Sequence, residues 1–339
     1  VKLHASAPTR IDLAGGTIDI WPLYLFHERV ETINAAISLR ARATLEHRRD
    51  GRVVVHSVDT GRRLEGPTGR DLVRQDPSSL LARIVDYFGA ESLTLTTRAE
   101  SPAGAGIAGS SALNIAVCGA LCRWTGQARS DQELLAIARD LEAQAIGVPT
   151  GWQDYYPALY GGVAVHELGV GPPRRVALDV APSELASRLV LAYTGAPRQS
   201  GTNNWEVTKR HIDTDREVRA AFERICETAR AMRAALTARD WAQVGRELGE
   251  EWRHRKRLAP GVTTPAIDRL VELAREAGAV SGKVCGAGGG GCAMFFVADP
   301  GCRAPVEDAL VRAGARLLDY RIEGSGLEIV DEMVDTLAE

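Results

Sequence analysis

Residues 101–112 read Ser-Pro-Ala-Gly-Ala-Gly-Ile-Ala-Gly-Ser-Ser-Ala, and no other stretch of the chain bears so directly on fold and function. Glycines at 104, 106 and 109 clear side chains from one patch of backbone. Ser110 and Ser111 then open a segment in which Leu113, Ala116, Val117, Ala120, Leu121 and Trp124 recur at helical spacing, which predicts a helix over 110–124. A glycine loop that feeds a helix N-terminus presents free N–H groups and the positive end of a helix dipole. Such a site suits an anion, phosphate above all.

Several known phosphate loops can be excluded. A Walker loop ends in Gly-Lys-Ser/Thr, and no lysine follows Gly109. The glycines satisfy G-x-G-x-x-G, but a dinucleotide site also needs a strand running into the first glycine and an acid about 20 positions on, after a second strand. Here Ser101-Pro102 interrupts the strand, and the nearest acid, Asp131, reads as a helix N-cap. The lysine strand, H-R-D and D-F-G motifs of protein kinases are absent.

With 339 residues the chain is long enough for one large or two ordinary domains. Hydrophobic residues make up 45% and charged residues 25%, the balance of a water-soluble globular protein. A net charge of −3 gives no electrostatic reason to expect a nucleic-acid partner. No run is long and apolar enough to span a bilayer, and the first residues lack a signal-peptide core, so no membrane partner is expected. The six cysteines form no C-x-x-C pair or His-associated zinc pattern; they read as buried thiols of a reduced cytoplasm.

The first hundred residues are strand-rich, with runs at 3–7, 41–46, 53–57 and 93–98, and a helix is expected over 78–89. Another helix is expected over 131–146, and a strand over 163–167. Residues 169–187, punctuated by Pro and Gly, mark the approach to a second domain. Beyond them the pattern predicts a strand at 189–193, amphipathic helices over about 204–234, 239–257 and 265–277, a strand at 292–297, a helix at 305–313 and a final strand at 316–322.

Three acids stand out. Asp19 follows Gly15-Gly16 in a loop after a strand; it can accept two hydroxyls of a polyol or simply close a turn. Glu142 lies on the flank of its helix beside Leu135 and Ala138; it is either solvated or a ligand for Mg²⁺, which binds one or two carboxylates plus substrate phosphates. Asp154 follows Gly151-Trp152-Gln153 and is the sole acid of its turn; it can cap a helix or act as a base tuned by its surroundings. The basic run Arg253-His-Arg-Lys-Arg257 reads as a solvated helix face.

The string P-x-G-x-G-x-x-G-S-S-A at 102–112 resembles the ATP loop of the GHMP kinases, and other segments agree in order. Pro8-Thr-Arg-Ile-Asp-Leu-Ala-Gly-Gly-Thr-Ile-Asp19 is similar to the opening of the sugar-directed members, although Thr17-Ile18-Asp19 stands where the pattern has x-Thr-Asp. Residues 147–162 resemble the G-K-Q-D-Q-Y…G-G frame of the heptose-kinase and fucokinase branch, with Trp152 for the lysine and Tyr155 for the second glutamine. Tyr193-Thr-Gly-Ala-Pro-Arg198-Gln-Ser200 and Lys283-Val-Cys-Gly-Ala-Gly-Gly-Gly-Gly291 resemble two later motifs.

The resemblance implies an α+β protein with two domains, a ribosomal-S5-like one over 1–180 and a ferredoxin-like one over 181–339. It implies ATP held by Pro102, Gly104, Gly106, Ile107, Ala108, Gly109, Ser110 and Ser111, with Mg²⁺ on Ser111 and Glu142. Asp154 and Arg10 would be catalytic, and Asp19, Gly16, Thr194, Gly195, Arg198, Gly288 and Gly289 would face the sugar. The implied reaction moves the γ-phosphoryl group to a sugar hydroxyl, the expected acceptor being the anomeric oxygen of D-glycero-D-manno-heptose 7-phosphate. A fucose, galactose or arabinose 1-kinase and a catalytically silent sugar/ATP sensor are the alternatives. A cytoplasmic monomer or homodimer is expected.

Overall fold

The computed structural model describes residues 2–196 and 200–332. Chain order begins with strands β1 (Lys2–Ala14), β2 (Val30–His47), β3 (Val53–Ser57) and β4 (Arg62–Gly66), helices α1 (Gly69–Gln75) and α2 (Leu80–Phe88), and strand β5 (Leu93–Ala99). Helices α3 (Gly109–Thr125), α4 (Asp131–Ile146) and α5 (Tyr155–Tyr160) follow, then β6 (Val163–Leu168), β7 (Arg174–Ala177), α6 (Pro182–Ala186) and β8 (Leu189–Tyr193). The remainder comprises α7 (Ser200–Ile212), α8 (Arg216–Ala238), α9 (Trp241–Arg255), α10 (Pro265–Glu276), β9 (Ser281–Val284), β10 (Cys292–Phe296), α11 (Arg303–Arg312), β11 (Arg316–Leu317) and β12 (Glu328–Glu332).

The strands form two sheets. The larger runs β12-β1-β2-β5-β3-β4, and among the described residues its one parallel pair is β3 with β5. Strand β2 changes partner along its length, pairing with β6 over 30–35 and with β5 over 41–47. The smaller sheet is antiparallel throughout, in the order β11-β8-β10-β9.

Three cores explain the layers. Helices α2 to α5 cover one face of the larger sheet, with Leu45, Leu95, Ile115, Leu135 and Tyr156 among the buried contacts. A second core joins the sheets: Ile11, Ile33 and Val165 of the larger meet Leu189, Leu191, Met294 and Phe296 of the smaller. The alternate residues Val190, Ala192, Ala293 and Phe295 face the other way, onto Leu270 of α10 and Val306 and Leu310 of α11. Side chains alternate along a strand, so a strand covered on both faces reads as an unbroken apolar run, as 189–193 and 292–296 do.

Three expectations need correction. The helix expected over 204–234 is two, because Thr214 turns left-handed at φ +64° and Asp215 caps α8 by accepting from the N–H groups of Glu217 and Val218. The cap of α4 is Ser130, in a reciprocal capping box with Glu133, and Asp131 is the first helical residue. The strand expected at 316–322 is short: β11 ends at Leu317, and Ile322 instead bridges Ile37. The chain then returns to the larger sheet as β12, its Glu332 opposite Lys2. Among the described residues no helix is long and apolar enough to cross a membrane.

Candidate active site

The glycine loop lies at the end of α3, as its sequence requires. Ala108, at the N-cap, takes the left-handed conformation at φ +61° and offers no capping side chain. A non-glycine residue in that region is strained, and functional sites are where such strain collects. The first N–H groups of α3 are therefore left for a ligand rather than for a capping oxygen. Pro102 starts the loop by accepting from the Ala105 N–H at 3.1 Å, and buried Ile107 anchors it to the core that joins the sheets.

Helix α4 brings Glu142 beneath this terminus. The carboxylate is 6% exposed and accepts three hydroxyls: Ser110 Oγ at 2.7 Å, Ser111 Oγ at 2.9 Å and Tyr155 Oη at 2.8 Å. Burial pushes its carboxyl up and the hydroxyls oppose the shift, while nearby Asp154 reinforces it. Hard oxygen ligands and one carboxylate fit Mg²⁺ that completes its shell with phosphate and water. Among the described residues no cluster of three or more His, Cys, Asp or Glu could hold a metal by itself. Tyr155, which stands at the second glutamine of the motif pattern that residues 147–162 resemble, thus braces the acid; the difference in sequence alone could not disclose this.

Beside the loop, Arg10 of β1 is 1% exposed. Its Nε donates to Asp154 Oδ1 at 2.9 Å, its Nη2 donates to the same oxygen, and its Nη1 reaches the carbonyl of Gly106 at 3.1 Å. Burial acts against the guanidinium charge, but Asp154 and Asp12 outweigh it and keep Arg10 charged. Asp154 occupies the N-cap position of α5 yet makes no capping hydrogen bond, so its carboxylate is committed to Arg10 instead of the helix. Both bonds go to Oδ1; Oδ2 takes no part in the pair.

Arg10 and Asp154 line a small cavity with Thr17, Asp19 and Gln153, and Asn204 of α7, Gly286 and Ala287 also line it. Asp19 is 1% exposed, accepts from the Gln153 N–H at 2.8 Å through Oδ2, and has no partner at Oδ1 among the described residues. Gln153 Oε1 is likewise buried without a partner. Two unsatisfied buried oxygens beside a cavity are costly unless a ligand supplies donors. Gly151 permits this placement, since a Cβ there would stand 1.9 Å from Asp19 Oδ2.

Burial, and then the negative charge of Asp154, push the Asp19 carboxyl up to about 7. Ionising Asp19 therefore costs the folded protein, and the stability present at low pH is lost as pH rises through about 7. Asp19→Asn keeps an oxygen for the Gln153 N–H and removes that cost. The unliganded variant should be more stable than wild type at pH 8, by on the order of a few kcal/mol, and so melt higher, with the difference closing near pH 4. Melting curves at both pH values provide the check, and equal differences at the two would refute it.

The remaining expected residues separate into groups. Gly16 lies against the Arg255 guanidinium: a Cβ on it would meet Arg255 Nη2 at 2.1 Å. Thr194 binds the Gly291 carbonyl through both its N–H and its hydroxyl, at 2.9 Å each, and Gly195 is exposed beyond it. Gly288 and Gly289 turn toward Val262, whose carbonyl accepts from the Gly289 N–H at 2.8 Å; the cavity wall is Gly286 and Ala287. Arg198 lies outside the described residues. The basic run is not a uniformly solvated face: Arg253 is exposed, whereas Arg255 is 1% exposed and paired with Glu251 and Asp12. Its guanidinium has no free edge for a substrate phosphate. On the other side of Ser110 a second, more apolar cavity is bounded by Val55, Leu64, Leu80, Leu81 and Leu113. These positions are scattered over four elements and carry no motif, so the sequence offered no signal for them. Asn204 carries no motif either, whereas Gln153 lies within the quoted segment 147–162, next to Asp154, without being singled out.

An uncapped glycine-loop helix beside a serine–glutamate pair, with an aspartate–arginine couple between it and a polar cavity, is the equipment of a small-molecule kinase. The chain belongs to the GHMP kinases: the family's N-terminal domain matches residues 77–162 and its C-terminal domain residues 232–316. It is 31% identical over 337 residues to D-glycero-alpha-D-manno-heptose 7-phosphate kinase of Campylobacter jejuni, covering 96% of this chain and 98% of that protein. It is 28% identical to the bifunctional fucokinase/GDP-fucose pyrophosphorylase of Arabidopsis thaliana, over 88% of this chain and 30% of the plant protein. Among solved structures, a D-glycero-D-manno-heptose 1-phosphate kinase from Bacteroides thetaiotaomicron superposes with a TM-score of 0.78 at 25% identity, covering 98% of this chain and all of the other. The two-domain α+β fold expected from the glycine loop and its companion motifs is the fold of this family.

Proposed function

We propose that this kinase uses Mg²⁺-ATP to phosphorylate the anomeric oxygen of a sugar that already bears a terminal phosphate, D-glycero-D-manno-heptose 7-phosphate being the best candidate. The observation that carries the reading is Asp19, buried with an unpartnered oxygen in the cavity that Arg10 and Asp154 also line. The heptose kinases found as relatives support the choice of sugar.

Mg²⁺-ATP supplies the phosphoryl group and neutralises charge on it. Glu142 and Ser111 are the metal ligands of this chain, and the N–H groups opening α3 receive the phosphates. The apolar cavity beyond Ser110 suits the base, with Leu64, Leu80 and Leu113 against its faces. Asp19 and Gln153 accept hydroxyls of the sugar and fix its orientation. Asp154 accepts the proton of the attacking hydroxyl at Oδ2, while Arg10 holds Oδ1 and keeps a positive charge beside the loop. Positioning and charge carry most of phosphoryl transfer, and both are built into these pairs.

Recognition of a terminal phosphate falls to Arg198, because Arg255 is committed to buried partners. One charge-assisted contact is worth about 1.5–3 kcal/mol, or a preference of roughly 10- to 100-fold. The test is kcat/KM, measured by ADP release, for heptose 7-phosphate, free heptose, fucose, galactose and mannose, with phosphorus NMR of the product. Heptose 7-phosphate should lead, the product should carry a new anomeric phosphate, and Arg198→Ala should erode the lead. A free hexose in first place would overturn this choice of acceptor.

A further inference from the structure

Behind the acceptor cavity lie four charged side chains that the mechanism above leaves unused. Asp12 of β1, Glu251 and Arg255 of α9 and Lys283 of β9 are each at most 1% exposed. Lys283 Nζ stands 3.0 Å from Asp12 Oδ2 and 2.9 Å from Glu251 Oε2. Arg255 meets Glu251 through Nε at 2.8 Å and Asp12 Oδ2 through Nη2 at 3.2 Å. Acid and base thus alternate around a closed ring whose formal charges cancel. Burial acts to raise the Asp12 carboxyl, yet Lys283, Arg255 and Arg10 together hold it well below the usual carboxylate range.

Stability alone is a weak reason for such a ring, since apolar replacements of a buried ion pair are often neutral or stabilising. What the ring holds is more specific. Gly286, in the cavity wall, donates its N–H to Asp12 Oδ1 at 2.9 Å, and its carbonyl accepts from Arg255 Nη1 at 2.8 Å. Both backbone groups of one wall residue are thereby fixed by two members of the ring. The same Nη1 is 3.5 Å from Thr17 Oγ1, and Thr17 lines the cavity two residues before Asp19. On its other side Asp12 Oδ1 lies 3.7 Å from Arg10 Nη1. One ring therefore touches the catalytic arginine, the glycine wall and the turn that carries Asp19.

We propose that the Asp12–Lys283–Glu251–Arg255 ring is a positioning device for the acceptor, fixing Gly286 and Thr17 relative to Arg10 and Asp154. This rests on the sugar-kinase reading above. None of the four residues touches substrate; they act through the wall they hold.

Two variants of the full chain test it. Arg255→Lys keeps the charge but loses the fork, because an ammonium cannot serve Glu251, Asp12 and the Gly286 carbonyl from one plane. The double variant Arg255→Met with Glu251→Leu removes one base and one acid, leaves the Asp12–Lys283 pair, and strips the Gly286 carbonyl of its partner. Its melting temperature should stay near that of wild type. In both variants KM for the best wild-type acceptor of the panel should rise about tenfold or more, while KM for Mg²⁺-ATP stays within about twofold; tenfold corresponds to one lost hydrogen bond to a charged group. An acceptor KM within twofold of wild type in either folded variant overturns the proposal, as does an equal rise in both KM values. Failure of both variants to fold assigns the ring to stability and also overturns it. A wild type that turns over no sugar overturns the acceptor reading instead, and is seen before any variant is made.

Discussion

Asp154→Asn should lower kcat by about 10²-fold or more, the usual cost of losing a general base or an orienting carboxylate, with little change in stability. The second half of that expectation comes from the geometry. Arg10 donates twice to a single oxygen, Asp154 Oδ1, and an asparagine carbonyl can accept both bonds. Arg10 also keeps Asp12 at 3.7 Å and the Gly106 carbonyl at 3.1 Å, so no buried charge is stranded. The lost function is at Oδ2, where an amide can donate but cannot take a proton. Because the acceptor should still bind, acceptor KM should move far less than kcat. A folded Asp154→Asn protein with near-normal kcat would refute the role given to this residue.

Glu142→Gln should raise the Mg²⁺ concentration needed for half-maximal activity by about tenfold or more; changes even one shell further out typically cost metal sites 10- to 100-fold. Nucleotide binding without metal should hardly change, because the α3 terminus and its left-handed Ala108 are untouched. The three hydroxyls that converge on Glu142 can turn to meet an amide oxygen, so the fold should survive. Mg²⁺ titrations of turnover, set beside metal-free ATP binding by calorimetry, separate the two effects. A titration that matches wild type would remove Glu142 from the metal site.

The sequence was most readable where one local rule acts alone. The apolar runs of β8 and β10, the capped periodic helix α4 and the glycine loop before α3 each follow from neighbours in the chain. The break between α7 and α8 was hidden because no Gly or Pro marks it; an Asp cap and one left-handed threonine suffice. Strand β12 was hidden because all five of its residues are exposed, so nothing alternates. Asp12, Glu251, Arg255 and Lys283 were the hardest to place. Charged residues are usually solvated, and only the fold brings together positions from the two ends of the chain to cancel their charge. Arg10 and Asp154 were found through ordered motifs rather than spacing, since 144 positions separate them.

The return of β12 to the outer edge of β1 sets an order on synthesis. The strand that carries Arg10 is made well before its β12 neighbour, since Lys2 of β1 stands opposite Glu332 of β12. Until then the β1 edge is a row of unpaired backbone groups, the kind of template that recruits other strands. Arg10 is thus on a strand that lacks one neighbour until β12 is made, and a ribosome that stalls between β11 and β12 leaves a sticky edge rather than a smaller working kinase.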